Sequence, residues 1–465
     1  MNLHENYSRK ANELPISLSP VYFSNKVNES ILLFEGDAKL IEESESSSYE
    51  IEGKLKIEYL WLPFPRLGFR FESDINNEGK IPFSSENKKI IHFQLNSKHI
   101  IKSEVDLCSQ STQNRKLTIS GNILDSISYG ENEPVKEILF HVVNFNDYIG
   151  LPIKYLDKNT ISKNRIVLEY ENWKITIDKV SNRSELKKEF KENLGFAITN
   201  VGKLERTDNK NFTVNESYDI LKTTKYFLSF ARGLHVGIIL ISGYMNSGKK
   251  VCEIWNNERC DPWFYVRSWF PEHKPYKAVK CFSGFCEWWT NNIRDRQILF
   301  WFLEANNNLT LESRIVLGQI ALERFYYLYF NKREYAHQQI RLLLEKFKIP
   351  NSIPELKTKI ISKSVLTDIT KIALLADKNN KKNSSIPIDM SFLIAEIRND
   401  LAHPKQKYED IDGNGLNTLS QFLFWYLELI FLATFNYDDV YFNRLQINSW
   451  AGTYESVPWN IPITE

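Results

Sequence analysis

The sequence has no large excess of either charge. Its 465 residues include 59 Lys and Arg and 58 Asp and Glu. Proteins that are drawn to nucleic acid by their overall field have a strongly basic surface. Any nucleic-acid site in this chain must therefore be a local patch.

Cysteine is scarce, and no apolar run is long enough to span a membrane. Five cysteines, an odd number without the dense spacing of a disulfide framework, are typical of a reducing compartment. The polar start at Met1 lacks the apolar core of a signal peptide. Residues 422–435 are almost wholly apolar, but a membrane span needs about 20 residues and this stretch contains Glu428. We expect a cytoplasmic protein without a membrane segment, in which this stretch is a core or dimer-interface helix.

The first half of the chain has the pattern of β-strands. Between Tyr49 and Tyr59, apolar and charged residues alternate, which is typical of a sheet with one face in solvent. A helix for which Ser217 is the predicted N-cap interrupts the β-rich region. Three further segments are rich in β-branched and aromatic residues, at 137–145, 165–171 and 173–180.

The last third of the chain has the pattern of helices. Thr310 can cap a segment whose apolar residues are spaced for one buried side. Further helices are predicted at 336–347, 357–376 and 416–435. Hydrophobic residues make up 42% of the chain, which is sufficient for sizeable cores in two or three domains.

These patterns predict an α+β protein with three parts. The predicted parts are a β-rich N-terminal region of one or two subdomains at 1–285, a helical bundle at 286–436, and a C-terminal tail at 437–465 that packs on the bundle. Aromatic residues are concentrated between Trp255 and Trp289, across the boundary. They can stack on RNA bases, but large aromatic residues are more often buried. We favour their packing the β-rich region against the bundle.

Two segments resemble known ligand-binding motifs in sequence. Gly243 to Lys249 begins like a P-loop, but Lys250 stands where Ser or Thr would bind Mg²⁺, so we predict a hairpin turn instead. Four cysteines lie close together with His273 between them, which leaves a structural zinc open as an alternative. Their spacing lacks the short pairs of a zinc knuckle, so we favour separate buried thiols and predict no metal or cofactor. The four are Cys252, Cys260, Cys281 and Cys286.

The run from Glu396 to Pro404 contains a candidate catalytic motif. Arg398, Asn399 and His403 place a permanent cation, an amide and a titratable imidazole at the end of a predicted helix. Around a regular helix, positions 398 and 403 would lie about 140° apart. Because Pro404 disfavours helical geometry at the preceding residue, we expect the helix to end there. The imidazole is then free to turn back, or two copies of the motif meet across a dimer.

Spacing alone does not establish such a site, because Arg267 and His273 have similar spacing in a stretch that is broken by Pro271. The context separates the two motifs. Apolar residues recur at helical intervals upstream of Arg398, so it lies on an amphipathic helix beside a buried face. These apolar residues are Met390, Ile394, Ile397 and Leu401.

Arg398, the polar Asn399 and His403 resemble the signature of the HEPN superfamily, in which Arg is followed by four to six residues and then His. The helices around the motif fit the resemblance, which covers about the last third of the chain. A β-rich region joined to such a bundle is similar in layout to ApeA-type anti-phage proteins. Some HEPN proteins also have an acidic residue on an early helix, where Glu323 could orient Arg398. Because such a glutamate is more often a solvated helix residue, we leave Glu323 out of the candidate site.

The resemblance implies a metal-independent RNA endonuclease of bacterial abortive infection. Its substrate would be RNA, its trigger a phage protein, and its active unit a homodimer or higher homo-oligomer. Arg398, Asn399 and His403 would be the catalytic residues. The alternative is a non-catalytic HEPN-containing protein that recognises a phage component or ligand through its β-rich region.

Overall fold

The computed structural model describes residues 14–44, 47–74, 88–95, 99–113, 115–156, 160–307, 310–357, 359, 361–379, 386–403, 408, 410–446 and 453–460. The predicted α+β class is confirmed. A β-rich N-terminal half is followed by a helical C-terminal region.

The first six strands form a closed antiparallel barrel in the order β1-β2-β3-β6-β5-β4. Burial alternates along β6, so that one face of the strand lines the barrel core and the other meets solvent. The predicted strand between Tyr49 and Tyr59 is confirmed as the greater part of β2. The strands are β1 Ile31–Ser44, β2 Ser47–Leu60, β3 Arg66–Asp74, β4 Lys88–Leu95, β5 His99–Gln113 and β6 Lys116–Ile123.

The next eight strands form one antiparallel sheet in the order β7-β14-β13-β8-β12-β11-β10-β9. Its central strands β8, β12 and β13 are buried along most of their length, and β13 is the most continuously apolar of the three. The three further predicted strands are confirmed as β8, β10 and β11. The strands are β7 Ile127–Tyr129, β8 Glu137–Val143, β9 Leu151–Tyr155, β10 Thr160–Tyr170, β11 Trp173–Lys179, β12 Ile198–Arg206, β13 Gly237–Tyr244 and β14 Lys250–Trp255.

Most of the helices follow the sheet. They are α1 Arg183–Asn193, α2 Val214–Arg232, α3 Pro275–Ala278, α4 Cys281–Asn291, α5 Gln297–Asn306, α6 Leu311–Phe330, α7 Ala336–Lys346, α8 Ile353–Leu356, α9 Lys363–Asn379, α10 Met390–Ala402 and α11 Gly413–Thr434. A 3₁₀ turn at Ile293–Arg296 joins α4 to α5, another lies at Pro458–Asn460, and a short β15 Val440–Tyr441 pairs with β16 Glu455–Ser456.

Two helix starts differ from the predictions. Helix α2 begins after Thr213, whose hydroxyl accepts a hydrogen bond from the backbone of Glu216 while the Glu216 carboxylate accepts one in return. This reciprocal capping box satisfies two backbone donors at once, so Ser217 lies inside the helix and is buried. The helix predicted from residue 357 begins at Lys363 instead. Thr310 caps α6 as predicted, accepting from the backbone of Ser313.

The sheet separates two hydrophobic cores. On one side, the barrel interior packs against α1 and one face of the central strands, including Ile198 and Ile239. On the other side, Phe140 and Ile238 belong to a core that continues through α2 into the helical bundle. The proposed boundary at Phe285 falls inside α4, so the sheet and the bundle share a single apolar interior.

Among the described residues, one helix, α11, has the length and apolar composition of a membrane span. However, 78% of its most apolar 18-residue window is buried within the protein. Of the two predicted alternatives, a core helix or a dimer-interface helix, the burial within one chain confirms the core helix. Its Glu428 is paired with the equally buried Arg444.

Candidate functional site

Helix α10 positions the candidate catalytic motif. It begins at the N-cap Asp389, whose carboxylate accepts a hydrogen bond from the backbone of Phe392 and another from Arg341 Nε at 2.8 Å. Met390, Ile394 and Ile397 are buried, as the predicted apolar stripe requires. The helix packs against α6 and α7 on this face. The motif is therefore fixed to the bundle by its buried side.

The helix ends at Ala402, and His403 has an extended backbone with φ −121° and ψ 150°. The predicted end of the helix is thus confirmed, while Pro404 itself lies outside the described residues. The imidazole of His403 is exposed. Because the backbone of His403 is no longer helical, the angle of about 140° between positions 398 and 403 on a regular helix does not apply to its imidazole.

Arg398 is half-buried, and its guanidinium is only partly satisfied. One Nη donates to Asn399 Oδ1 at 3.3 Å, whereas Nε is buried and has no hydrogen-bond partner among the described residues. The structure therefore brings Arg398 and Asn399 together. Within the described part of the chain, no hydrogen bond joins either side chain to His403.

The chain after the motif folds back onto the end of α10. The carboxylate of Asp400 accepts a hydrogen bond from the backbone N–H of Tyr408 at 3.1 Å. Tyr408 is buried, and burial, with a smaller contribution from Glu396, raises the pKa of its hydroxyl to about 12. The segment between α10 and α11 thus contributes a buried aromatic side chain, and α11 begins at Gly413.

A second imidazole approaches the same helix from α7. His337 packs edge-on against the ring of Phe392, and burial lowers the pKa of its imidazole, to which Arg341 also contributes. Glu396 acts electrostatically on both His337 and Tyr408. The sequence did not identify His337 or Tyr408 as neighbours of the motif, because their approach to α10 depends on how the chain folds and not on a fixed spacing.

Glu323 makes a hydrogen bond within its own helix. Its carboxylate accepts a hydrogen bond from Gln319 Nε2 at 2.9 Å, one helical turn earlier on α6. The described residues include no hydrogen bond or ion pair between Glu323 and Arg398. Glu323 is therefore a local partner of its own helix in this structure.

The two segments that resemble ligand sites have structural explanations. Residues 245–249 form the turn between β13 and β14, closed by a hydrogen bond from the backbone of Met245 to that of Lys249. Gly248 adopts φ +76°, which favours glycine. The predicted hairpin is confirmed. The four clustered cysteines are buried free thiols, and no group of three or more potential ligands among the described residues could hold a metal ion.

The aromatic segment packs the β-rich region against the bundle, which is the alternative that the sequence favoured. The ring of Trp269 packs against Phe230 of α2 at 5.1 Å and against Tyr437 at 5.8 Å, between ring centroids. Phe285 and Trp288 both contact Phe435 at the end of α11. These rings are therefore part of the core and are not available to stack on RNA bases.

Comparison with known proteins finds similarity along most of the chain. Residues 130–266 match the family model described as the YopA central domain, and residues 287–455 match the YopA C-terminal domain. The chain is 28% identical over 469 residues to the SPbeta prophage-derived uncharacterized protein YopA of Bacillus subtilis strain 168, which covers 96% of this chain and 98% of that protein. No solved structure matches the chain. The chain is therefore similar to YopA over almost its whole length, and both the second sheet and the helical bundle are part of that similarity.

Proposed function

We propose that the chain is an RNA endonuclease of the HEPN type whose catalytic residues are Arg398, Asn399 and His403. The observation that carries the proposal is the end of α10. There an exposed imidazole leaves the helix directly after a turn that holds a half-buried guanidinium with an unpaired Nε. An imidazole can transfer the protons of phosphodiester cleavage, and a guanidinium can stabilise the charge on its phosphorane, so neither role needs a metal.

In the proposed reaction, the ribose 2′-hydroxyl attacks the adjacent phosphorus atom. His403 removes the hydroxyl proton, since an imidazole can act as a general base near neutrality. The bond from phosphorus to the 5′-oxygen of the next nucleotide breaks, and that oxygen takes up a proton from the imidazole of a second copy of the motif. The products are a 2′,3′-cyclic phosphate and a 5′-hydroxyl, so no water molecule is consumed.

Arg398 stabilises the charge that develops on the phosphorus oxygens. A guanidinium presents a planar fork of donors, which suits two oxygens of a phosphorane better than a single ammonium does. The hydrogen bond from Arg398 to Asn399 fixes one edge of the fork.

The proposed active unit is a homodimer. Cleavage needs both a base for the 2′-hydroxyl and an acid for the leaving oxygen. One motif supplies one imidazole, whereas two motifs related by a twofold axis supply two. The RNA strand would then lie between two copies of the α10 end.

The proposed biological role is abortive infection against phage, with a phage protein as the trigger and RNA as the target. The layout of a β-rich region before the bundle supports this role through its similarity to ApeA-type proteins. A relative that is named as prophage-derived is compatible with a role in conflict between phages and their hosts. The β-rich region would then be the sensor.

Substitution of His403 by Ala tests the proposal. We expect the purified variant to lose about 10² to 10⁴ in the rate of RNA cleavage, the usual contribution of a general acid or base. His403 is exposed at the end of a helix, so the variant should unfold at the same temperature as the wild type. Sequencing of RNA ends from cells that express each form would identify the target.

His273→Ala is the matched control, because it removes an exposed imidazole from the similarly spaced Arg267 and His273 pair. This variant should cleave at the wild-type rate. Arg398→Lys keeps the charge but loses the fork, and it should be nearly inactive. A folded His403→Ala protein that cleaves RNA as fast as the His273→Ala control would contradict the proposal and favour the non-catalytic alternative.

A further inference from the structure

A cavity of about 460 Å³ lies where the segment after β14 meets the helical bundle. Its walls include Arg267, Arg314 at the start of α6, and Arg444 after β15. These residues are far apart in the sequence, so no motif marks the cavity. Its volume is within the range of small-molecule sites, about 300 to 1,000 Å³.

The three guanidinium groups are not equivalent. Arg444 is buried and donates to both carboxylate oxygens of Glu428, at 3.1 and 2.8 Å, so its charge is compensated. Arg314 has no such partner. Its Nε is buried without a hydrogen bond, and the described residues include no carboxylate paired with it.

Arg314 is also buried close to a second cation. The guanidinium carbons of Arg314 and Arg444 each lie 5.0 Å from the centroid of the Phe424 ring. Each contact with the ring is favourable, but it brings the two like charges to the same side chain. Burial lowers the pKa of Arg314 to about 10, and the nearby charge of Arg444 acts in the same direction. An anion in the cavity would relieve both effects, because it would pair with the charge and supply hydrogen-bond acceptors.

The rest of the wall supplies neutral donors and an aromatic surface. Asn417 and Gln421 project from successive turns of α11. Thr418 lies beside them, although its hydroxyl already donates to Asp368. Tyr265 is 75% exposed, and such a ring can stack on a planar base at little cost.

We propose that this cavity binds a nucleoside phosphate, with the phosphoryl oxygens on Arg314 and Arg267 and the base against Tyr265. Charge, amide donors and an exposed ring around one concavity fit a single nucleotide. A strand of RNA would instead need cations along a continuous groove. The bound ligand would contact both the segment that follows the sheet and the helices of the bundle.

Titration calorimetry on the full chain tests this site with the four ribonucleoside triphosphates, tripolyphosphate and adenosine. We expect at least one nucleotide to bind more tightly than tripolyphosphate and adenosine. Arg314→Gln should weaken nucleotide binding about 10- to 100-fold, the value of a lost charge-assisted hydrogen bond. Tyr265→Ala should weaken nucleotide binding but leave tripolyphosphate binding unchanged.

Arg324→Gln is the matched control, since Arg324 lies on the same helix but pairs with Asp295 away from the cavity. It should bind nucleotides as the wild type does, and so should His403→Ala, because the inference does not rest on the proposed nuclease. Tyr265 is exposed, so its variant remains informative if Arg314→Gln does not fold. Absence of nucleotide binding at millimolar concentration, equal losses in Arg314→Gln and Arg324→Gln, or equal binding of tripolyphosphate and nucleotides would overturn the proposal.

Discussion

Gly284 in α4 allows the helix to lie directly against the end of α11. A Cβ atom at this position would be 2.0 Å from the carbonyl oxygen of Phe435 and 2.6 Å from its carbonyl carbon. Ordinary contact begins at 3.4 Å, so Gly284→Ala brings a methyl group about 1.4 Å too close. The obstacle is backbone, which cannot move aside by a change of rotamer.

The size of the effect follows from two opposing terms. Alanine is favoured over glycine inside a helix by about 1 kcal/mol. Overpacking of a core typically costs about 1 to 3 kcal/mol and sometimes more. Here the upper end applies, because separating α4 from α11 also pulls Phe285 and Trp288 away from Phe435. We expect Gly284→Ala to lower the free energy of unfolding by about 2 kcal/mol.

Calorimetry and tryptophan fluorescence during heating measure this effect. If about 300 residues of sheet and bundle unfold together, 2 kcal/mol corresponds to a fall in Tm of about 3 °C. Gly413→Ala is the control, since Gly413 begins α11 and a Cβ there has no neighbour within 4 Å. That variant should match the wild type or exceed it slightly. The reasoning fails if Gly284→Ala is as stable as Gly413→Ala.

Three further predictions concern pH, metal and the dimer. Burial and the charge of Asp147 raise the pKa of Glu272 to about 7. The stability that the protonated carboxyl contributes is therefore fully present below about pH 4.5 and is lost as the pH rises through 7. In thermal unfolding, Glu272→Gln should therefore be more stable than the wild type at pH 8, on the order of 1–3 kcal/mol, and similar to it at pH 5; equal stability at pH 8 would contradict the shift. RNA cleavage should continue after exhaustive EDTA treatment, and loss that Mg²⁺ restores would refute the proposed mechanism. Mixed Arg398→Ala and His403→Ala chains should regain part of the activity if the site is shared, whereas an active protein that is monomeric by light scattering would exclude the dimer.

Local signals in the sequence were sufficient for several elements. The hydroxyl of Thr310 marks the start of α6, and the residue before Pro404 marks the end of α10, because capping and proline sterics act within a few residues. The turn at Gly248 is specified in the same way. In the candidate site, the buried stripe of α10 and the release of His403 from the helix were likewise predictable.

Features that depend on contacts distant in sequence were not predictable. Strand β1 pairs with both β2 and β4 to close the barrel, and alternation along a strand does not specify its partners. Ser217 was a plausible cap, but the Thr213 and Glu216 pair satisfies two donors where Ser217 would satisfy one. The approach of His337 to α10 and of Arg314 to Arg444 likewise arises only when helices pack.

The continuous core between sheet and bundle constrains how the proposed activities can be coupled. Phe230 of α2 contacts Phe431 of α11 and Phe435, the residue that follows α11. A helix packed on the sheet therefore shares its contacts with the central helix of the bundle. A bundle cut out at residue 286 would leave those rings in water, at a cost of about 25 cal/mol for each Å² exposed. Interiors of this density transmit displacement instead of absorbing it. A ligand that moves the sheet relative to the barrel must therefore move α11 and the bundle together with the sheet. Because the two parts share one core, tests of the proposed nuclease require the full chain.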